Sequence, residues 1–142
     1  MDDDSDRVAG LNEFFGARVP GLLGVVLDAC SRTEVVAHID VTTALIAGTG
    51  FLFAPAVVGL ADTLAAAGTG VYLDHAAGES FTTIELKCNF LGSAREGERV
   101  VGRAMPTHIG RSTQVWDVTV TNESTGKTIA LFRNTQMVLR RA

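Results

Sequence analysis

A single ionisable side chain, Asp62, lies inside a long apolar stretch of the sequence. Residues 41–61 carry no charge, and residues 53–68 read Phe-Ala-Pro-Ala-Val-Val-Gly-Leu-Ala-Asp-Thr-Leu-Ala-Ala-Ala-Gly. A carboxylate in such surroundings must find a partner, meet a water-filled cleft or keep its proton. In a cleft it would be a catalytic carboxylate. The alternative is a structural carboxylate, satisfied by a backbone N–H or by an arginine of a neighbouring strand.

The remaining residues that often do chemistry form no pattern. The three histidines have neither metal-ligand spacing nor a nucleophile pattern with the two cysteines, Cys30 and Cys88. We interpret the cysteines as buried, reduced thiols of a cytoplasmic protein, with a disulfide between them as the alternative. The sequence therefore predicts no metal centre.

Length and charge limit the class of protein. The 142 residues, of which 46% are hydrophobic, predict one globular domain over residues 8–142. Four of the sixteen acids lie in the first six residues, and the other twelve balance the twelve Lys and Arg. Residues 1–7 are predicted to be a disordered acidic tail, unlike a signal peptide. Gly48, Gly50 and Pro55 argue against a membrane span in the uncharged stretch.

The C-terminal part of the chain is basic. Residues 92–142 hold eight Lys or Arg and four Asp or Glu. Arg111 and Ser112, which follow a glycine turn, are the predicted phosphate contacts, since Arg suits bidentate phosphate binding. The alternative is that these arginines lie on solvated strand faces. Nucleic acid is not predicted as a partner, because the basic residues lack interleaved aromatics.

The chain order predicts one buried helix between strands. Pro55 suits the first turn of a helix over residues 53–68, Gly68 suits its end, and the apolar circumference indicates a wrapped helix. A short amphipathic helix is predicted over Val8–Ala17. Strands are predicted over the following ranges: Leu22–Cys30, Glu34–Val41, Phe81–Leu91, Glu98–His108, Ser112–Thr121 and Lys127–Leu139. In the third strand, alternation places Ile84 and Leu86 on one face and Thr83 on the other.

An antiparallel sheet curled around one helix is the simplest α+β arrangement that covers it, and this is the hotdog fold. The sequence also resembles the hotdog thioesterases of the PaaI-like and 4-hydroxybenzoyl-CoA-thioesterase type from about Pro20 onward. The resemblance rests on the order and spacing of four segments: Leu60-Ala61-Asp62-Thr63, residues 83–91, Ile109-Gly110-Arg111-Ser112 and residues 118–127.

The resemblance implies roles for several residues. Asp62 falls on the helix carboxylate that is the general base or nucleophile, and Thr83 on a hydroxyl that helps to hold the attacking water. The family's His-Gly-Gly, whose first glycine N–H polarises the thioester carbonyl, is replaced by Phe53-Ala54-Pro55. Ala54 still offers an N–H at a helix N-terminus. Ala47 replaces an Asn or Gln of several relatives.

The sequence as a whole thus predicts an acyl-CoA thioesterase that needs no cofactor, since coenzyme A is part of the substrate. Phe51 and Phe53 are predicted to line the acyl site or to be ordinary core, and Thr63 is grouped with the substrate-binding residues. The family's site lies between protomers, which implies a homodimer or homotetramer. The alternative function is an acyl-CoA-binding hotdog protein that has lost hydrolysis; a hydratase is disfavoured, as its Asp-x-x-x-x-His dyad is absent.

Overall fold

Six antiparallel strands form one sheet that packs against a long helix. The computed structural model describes residues 4–142. The helices are α1 (Asp4–Gly16), α2 (Val19–Leu22) and α3 (Ala54–Gly70), and the strands are β1 (Val26–Cys30), β2 (Val35–Asp40), β3 (Ser80–Phe90), β4 (Arg99–Ile109), β5 (Thr113–Asn122) and β6 (Lys127–Leu139). Their order in the sheet is β1-β2-β4-β5-β6-β3. The predicted hotdog arrangement is confirmed.

The predicted central helix is confirmed, but Gly68 does not end it as expected. Ten of the seventeen residues of α3 are buried, and Pro55 lies in its first turn. The helix continues to Gly70 because Gly68 serves packing rather than termination. A Cβ at Gly68 would overlap the indole ring of Trp116 on β5, so only glycine lets the helix and sheet approach this closely.

The N-terminal region differs from the prediction. Helix α1 begins at Asp4 rather than Val8, so part of the expected tail is helical, and residues 1–3 lie outside the described residues. Acidic residues in a first turn favour a helix, and Arg7 forms an ion pair with Asp4. Pro20 lies in the first turn of the short helix α2, which ends at Leu22, so the first strand begins at Val26 rather than at Leu22.

A β-bulge in β3 changes which of its side chains share a face, so the predicted alternation of Ile84 and Leu86 against Thr83 is wrong. The register of β3 on β6 shifts between Thr83 and Glu85, and an extra residue reverses the alternation beyond it. Thr83 pairs with Gln136, and Leu86 pairs with Asn134. Since directly paired residues share a face, and Asn134 and Gln136 are both buried, Thr83 and Leu86 lie on the same, helix-facing side.

The cysteines are free thiols, as predicted, although only Cys30 is fully buried; Cys88 is half-buried. Burial raises the pKa of both thiols, which disfavours the reactive thiolate. Within residues 4–142, the helices are all too short or too polar to cross a lipid bilayer.

Candidate functional site

The Asp62 carboxylate is held on one of its two oxygens. Asn134 Nδ2 on β6 donates a hydrogen bond of 2.9 Å to Asp62 Oδ1. Thr83 Oγ1 on β3 lies 3.2 Å from the same oxygen and donates to it. Oδ2 receives no hydrogen bond from any residue between 4 and 142. The carboxylate is therefore oriented by two neutral donors, and its second oxygen is available to a reacting group.

Gln136 orders the hydroxyl of Thr83. The two side chains are 3.0 Å apart, and Gln136 is fully buried with Nε2 unpaired among the described residues. A threonine hydroxyl has one hydrogen and cannot donate to both Gln136 Oε1 and Asp62. Rotating the amide by half a turn places Nε2 beside Thr83 and satisfies both groups. A chain of donors then runs from Gln136 through Thr83 to Asp62.

Sequence reasoning missed Asn134 and Gln136. The inward positions of β6 alternate along the strand, and Ala130, Phe132 and Val138 are the apolar members of that set. Asn134 is 1% exposed and Gln136 is 0% exposed. Two amides in an otherwise apolar inward pattern were the available signal, because buried polar groups are rarely left without a partner.

An accessible row of residues runs along α3. Its members are spaced by four residues: Ala54, Val58, Asp62, Ala66 and Gly70. Ala54 is exposed and the others are half-buried, so the expectation of a helix wrapped on all sides is wrong for this row in a single chain. Asp62 is therefore half-buried on the open side of the helix rather than enclosed by the sheet.

The Ala54 N–H is a free donor at the start of α3. No acceptor for it occurs within the described part of the chain, and Pro55 has no N–H. The helix macrodipole favours negative charge at this end. Ala54 and Asp62 are eight residues apart in one helix, which separates them by about 12 Å along the axis. One protomer therefore does not bring the two groups together.

Phe51 and Phe53 lie at the same end of α3 as Ala54. Phe53 is the N-cap residue and is 51% exposed. Phe51 lies under the guanidinium of Arg95, which is 5.1 Å from the ring centroid. Neither ring reaches Asp62 of its own chain, because Asp62 lies more than two helical turns away.

Thr63 does not face the cleft. Its side chain is buried, and its hydroxyl donates a hydrogen bond of 2.7 Å to the Gly59 carbonyl. This is local back-bonding within a helix, so the hydroxyl is not presented to a substrate.

Arg111 and Ser112 lie in the exposed turn between β4 and β5. Val138 N donates to Ser112 O at 2.8 Å, and Val138 pairs with Phe81 of β3. The turn is thus at the end of the sheet where Thr83 lies, two strand spacings or about 10 Å away. Several other arginines are paired with carboxylates, namely Arg99, Arg103, Arg133 and Arg140. The Arg111 guanidinium has no acidic partner among residues 4–142.

The site contains no metal-binding cluster of the usual kind. Over the described residues, no three His, Cys, Asp or Glu side chains converge closely enough to hold an ion. Asp62 and Thr83 offer instead a carboxylate and a hydroxyl, and the start of α3 offers one free backbone N–H, that of Ala54. Those groups can activate water or attack a carbonyl directly, and can stabilise the oxyanion that forms.

Comparison with known proteins agrees with this chemistry. The chain is 27% identical to a thioesterase of Pseudomonas aeruginosa, with a TM-score of 0.89 over 99% of this chain and 97% of that one. It shares the fold of the PaaI protein from the Escherichia coli phenylacetic acid degradation operon, at 21% identity and a TM-score of 0.81 over 99% and 97% of the two chains.

Two further matches concern the sequence itself. The chain is 29% identical over 119 residues to the 1,4-dihydroxy-2-naphthoyl-CoA hydrolase of Listeria monocytogenes, covering 84% of this chain and 94% of the relative. The sequence profile of the thioesterase superfamily matches residues 49–129, which include Ala54, Asp62 and Thr83. With its hotdog fold and a helix carboxylate held at the sheet, this chain belongs to the thioesterase superfamily.

Proposed function

We propose that the protein hydrolyses an acyl-CoA thioester, with Asp62 as the catalytic carboxylate. The proposal rests on a difference in hydrogen bonding between the two oxygens of this carboxylate. Oδ1 is engaged by Asn134 and Thr83, and Oδ2 has no partner within residues 4–142. The row of α3 that includes Asp62 is accessible. A carboxylate held in this way needs little reorganisation to act.

The reaction follows from these groups. Asp62 Oδ2 takes a proton from water as the water oxygen bonds to the thioester carbonyl carbon. The carbonyl oxygen becomes an oxyanion beside the Ala54 N–H of a second copy of the chain. Collapse breaks the C–S bond, and the proton returns to the departing CoA sulfur. In the alternative route Asp62 attacks the carbonyl carbon directly, the C–S bond breaks, and the CoA thiolate leaves and is protonated by solvent. Water then hydrolyses the anhydride that remains on Asp62.

Isotope labelling tests for cleavage of an anhydride at Asp62, since label in the product acid is also the result if water attacks the acyl carbon of an anhydride. A single turnover in H₂¹⁸O places the label in the product acid if water attacks the thioester. If Asp62 attacks first and water then cleaves the anhydride at Asp62, the label enters the Asp62 side chain.

The site we propose is shared between two copies of the chain. The separation of about 12 Å between Ala54 and Asp62 of one helix is too long for one carbonyl group to contact both. Two antiparallel α3 helices, related by a two-fold axis level with Val58, would bring Ala54 of one copy level with Asp62 of the other. Strand β3 supports this pairing, since it is an 11-residue edge strand with Leu86 and Phe90 exposed, a surface that favours self-association.

The CoA portion of the substrate would extend toward Arg111 and Ser112. Arg111 is exposed, unpaired with any acid among residues 4–142, and located at the Thr83 end of the sheet. A guanidinium of this kind suits bidentate contact with a phosphate. The name of the Listeria relative, a hydrolase of an acyl-CoA, supports the same class of substrate.

Release of free CoA from a panel of acyl-CoAs tests the proposal. The variant Asp62→Asn replaces the carboxylate with a neutral amide. It should lower kcat by at least about 10²-fold, the loss expected when a general base is removed. Equal rates for the wild type and the variant would remove Asp62 from the mechanism.

The second candidate function is acyl-CoA binding without hydrolysis. Phe53, Ala54 and Pro55 occupy the positions at which the resemblance implies His-Gly-Gly, and Ala47 a position at which it implies Asn or Gln. Loss of one oxyanion donor commonly costs about 10²–10³ in rate. Tight binding of acyl-CoA with no release of CoA would favour this function.

A further inference from the structure

Three directly paired residues of the sheet form a polar row on its helix-facing side. Gln114 of β5 pairs with Gln136 of β6, and Gln136 pairs in turn with Thr83 of β3. Since paired residues share a face, all three side chains lie toward α3. The row ends at Asp62 of α3, whose Oδ1 lies 3.2 Å from the Thr83 hydroxyl. Polar side chains thus lead across three strands to the carboxylate.

Gln136 lies at the centre of this row and is fully buried. Its side chain is 0% exposed, and the other inward residues of β6 are mostly apolar: Ala130, Phe132 and Val138. An amide in such surroundings costs free energy unless its polar atoms are bonded. An apolar side chain of similar length would pack there without that cost. Packing alone therefore does not explain a glutamine at this position.

The number of hydrogen bonds determines how the Gln136 amide is oriented. If Oε1 faces the Thr83 hydroxyl, the single hydrogen of that hydroxyl is donated to Gln136 and is lost to Asp62. If Nε2 faces it, Nε2 donates to Thr83 and the hydroxyl donates to Asp62. The second orientation makes two hydrogen bonds instead of one. The amide oxygen then takes the unpaired position, which buried carbonyl oxygens occupy more often than N–H groups do.

We infer that Gln136 is a positioning residue for the reaction at Asp62. Its Nε2 donates to the Thr83 oxygen and so directs the only hydroxyl hydrogen of Thr83 onto Asp62 Oδ1. A hydroxyl that accepts a hydrogen bond is also a stronger donor, because successive hydrogen bonds polarise one another. Oδ1 is thereby kept bonded, and Oδ2 is left for the reacting water. The inference rests on the proposed function, because it takes Asp62 as the catalytic carboxylate.

The first test removes the Gln136 amide and keeps the length of the side chain. Because Gln136 is buried and acts through Thr83, Gln136→Met should lower kcat about three- to tenfold, the worth of one hydrogen bond between neutral groups. KM for acyl-CoA should stay within about twofold, since no interaction with the substrate is removed.

Gln114→Met is the matched control for this variant. Gln114 is the neighbour of Gln136 on the adjoining strand and is 2% exposed. Its amide oxygen accepts a hydrogen bond of 3.2 Å from Trp116 Nε1 instead of contacting Thr83. Gln114→Met should therefore leave kcat within about twofold of the wild-type value.

A double-mutant cycle tests whether Gln136 acts through Thr83. The variant Thr83→Val has no hydroxyl, so adding Gln136→Met to it should lower kcat by less than about a further twofold. A side chain that only fills space would lower kcat by the same factor in both backgrounds. The Tm of Gln136→Met should equal or exceed that of the wild type, because a buried methionine needs no hydrogen-bond partner.

Three results would overturn the inference and leave the proposed function in place. The first is an unchanged kcat in Gln136→Met. The second is an equal fall of kcat in Gln136→Met and Gln114→Met. The third is the same loss from Gln136→Met in the wild type and in Thr83→Val.

An NMR measurement separates a failed inference from a failed proposed function. If the wild type releases CoA from no acyl-CoA, the proposed function fails, and the donor role of Gln136 is judged by its two Nε2 protons. A hydrogen-bonded proton resonates downfield of a free one. One Nε2 proton should therefore move upfield in Thr83→Val, which has no acceptor, and keep its position in Thr83→Ser, which retains the oxygen. Nε2 protons with the same shifts in the wild type and in Thr83→Val would overturn the inference.

Discussion

Asn134 on strand β6 donates a 2.9 Å hydrogen bond to Asp62 on helix α3, 72 residues earlier in the chain. The bond fixes the carboxylate to the sheet rather than to its own helix. Because Thr83 donates to the same oxygen, the other oxygen is left for chemistry. In the mechanism we propose, Asn134 is a positioning residue and Asp62 is the group that reacts.

Removing the Asn134 amide should slow the reaction without weakening binding. A hydrogen bond to a charged group is worth about 1.5–3 kcal/mol, so we expect Asn134→Ala to lower kcat roughly 10- to 100-fold while KM stays within about twofold. Steady-state kinetics of CoA release measure both. Asn122→Ala is the control, since Asn122 is equally buried but bonds Glu98 instead of Asp62. If kcat fell by the same factor in Asn134→Ala and Asn122→Ala, the cause would be a general loss of folded protein.

The hydroxyl group of Thr83 should affect kcat more than the volume of its side chain does. Thr83→Val keeps the volume but removes the donor to Asp62, and we expect kcat to fall about tenfold or more. Thr83→Ser keeps the donor and should stay within about threefold of the wild type. Thr82→Val, at an exposed neighbouring position, is the control. The role assigned to Thr83 fails if the valine and serine variants have the same kcat.

Mixing two inactive variants tests whether the site is shared. Ala54→Pro removes the N–H at a first-turn position that tolerates proline, and Asp62→Asn removes the carboxylate. A dimer with one copy of each holds one site with both groups intact. Because random mixing makes half of the dimers mixed, we expect about a quarter of the wild-type activity after joint refolding.

The same mixture has a clear contrary outcome. If both groups acted within one protomer, each mixed dimer would lack a complete site and activity would stay at the level of the separate variants. Analytical ultracentrifugation of each variant serves as the control, since both must still self-associate for the comparison to hold.

The ion pair between Asp117 and Arg133 should give a measurable pH dependence of stability. Arg133 donates two hydrogen bonds to Asp117, of 2.6 and 2.7 Å, and these hold the pKa of Asp117 below its usual value. A carboxylate with a lowered folded-state pKa stabilises the fold above its unfolded-state pKa. That stabilisation is lost as the pH falls through the folded-state pKa.

We therefore expect Asp117→Asn to lower Tm slightly at neutral pH, because exposed pairs contribute little. The difference from the wild type should close as the pH falls below about 4, the ordinary pKa of Asp. Differential scanning calorimetry across this range measures it, with the exposed Glu13→Gln as control. A difference in Tm that stays constant with pH would contradict the assignment.

Part of the site could be read from the chain alone. An isolated carboxylate in an uncharged helix is visible in the sequence. Burying a charge without a partner costs free energy, so a carboxylate at such a position indicates a partner or a function. The family resemblance implied a role for Thr83, and the structure places Thr83 against Asp62. Thr63 is adjacent to Asp62 in sequence, yet a helix turns adjacent residues 100° apart, so its hydroxyl faces the core instead.

The sequence by itself determined the class of fold and singled out the carboxylate that we propose as the reacting group, since both depend on local patterns of apolar and charged residues. Only the tertiary structure decided what holds that carboxylate. Asn134 and Gln136 reach Asp62 and Thr83 through strand pairing, and the bulge between Thr83 and Glu85 turns Thr83 toward the helix. Contacts between residues 50 or more positions apart depend on register, and one extra residue in a strand reverses which side chains meet.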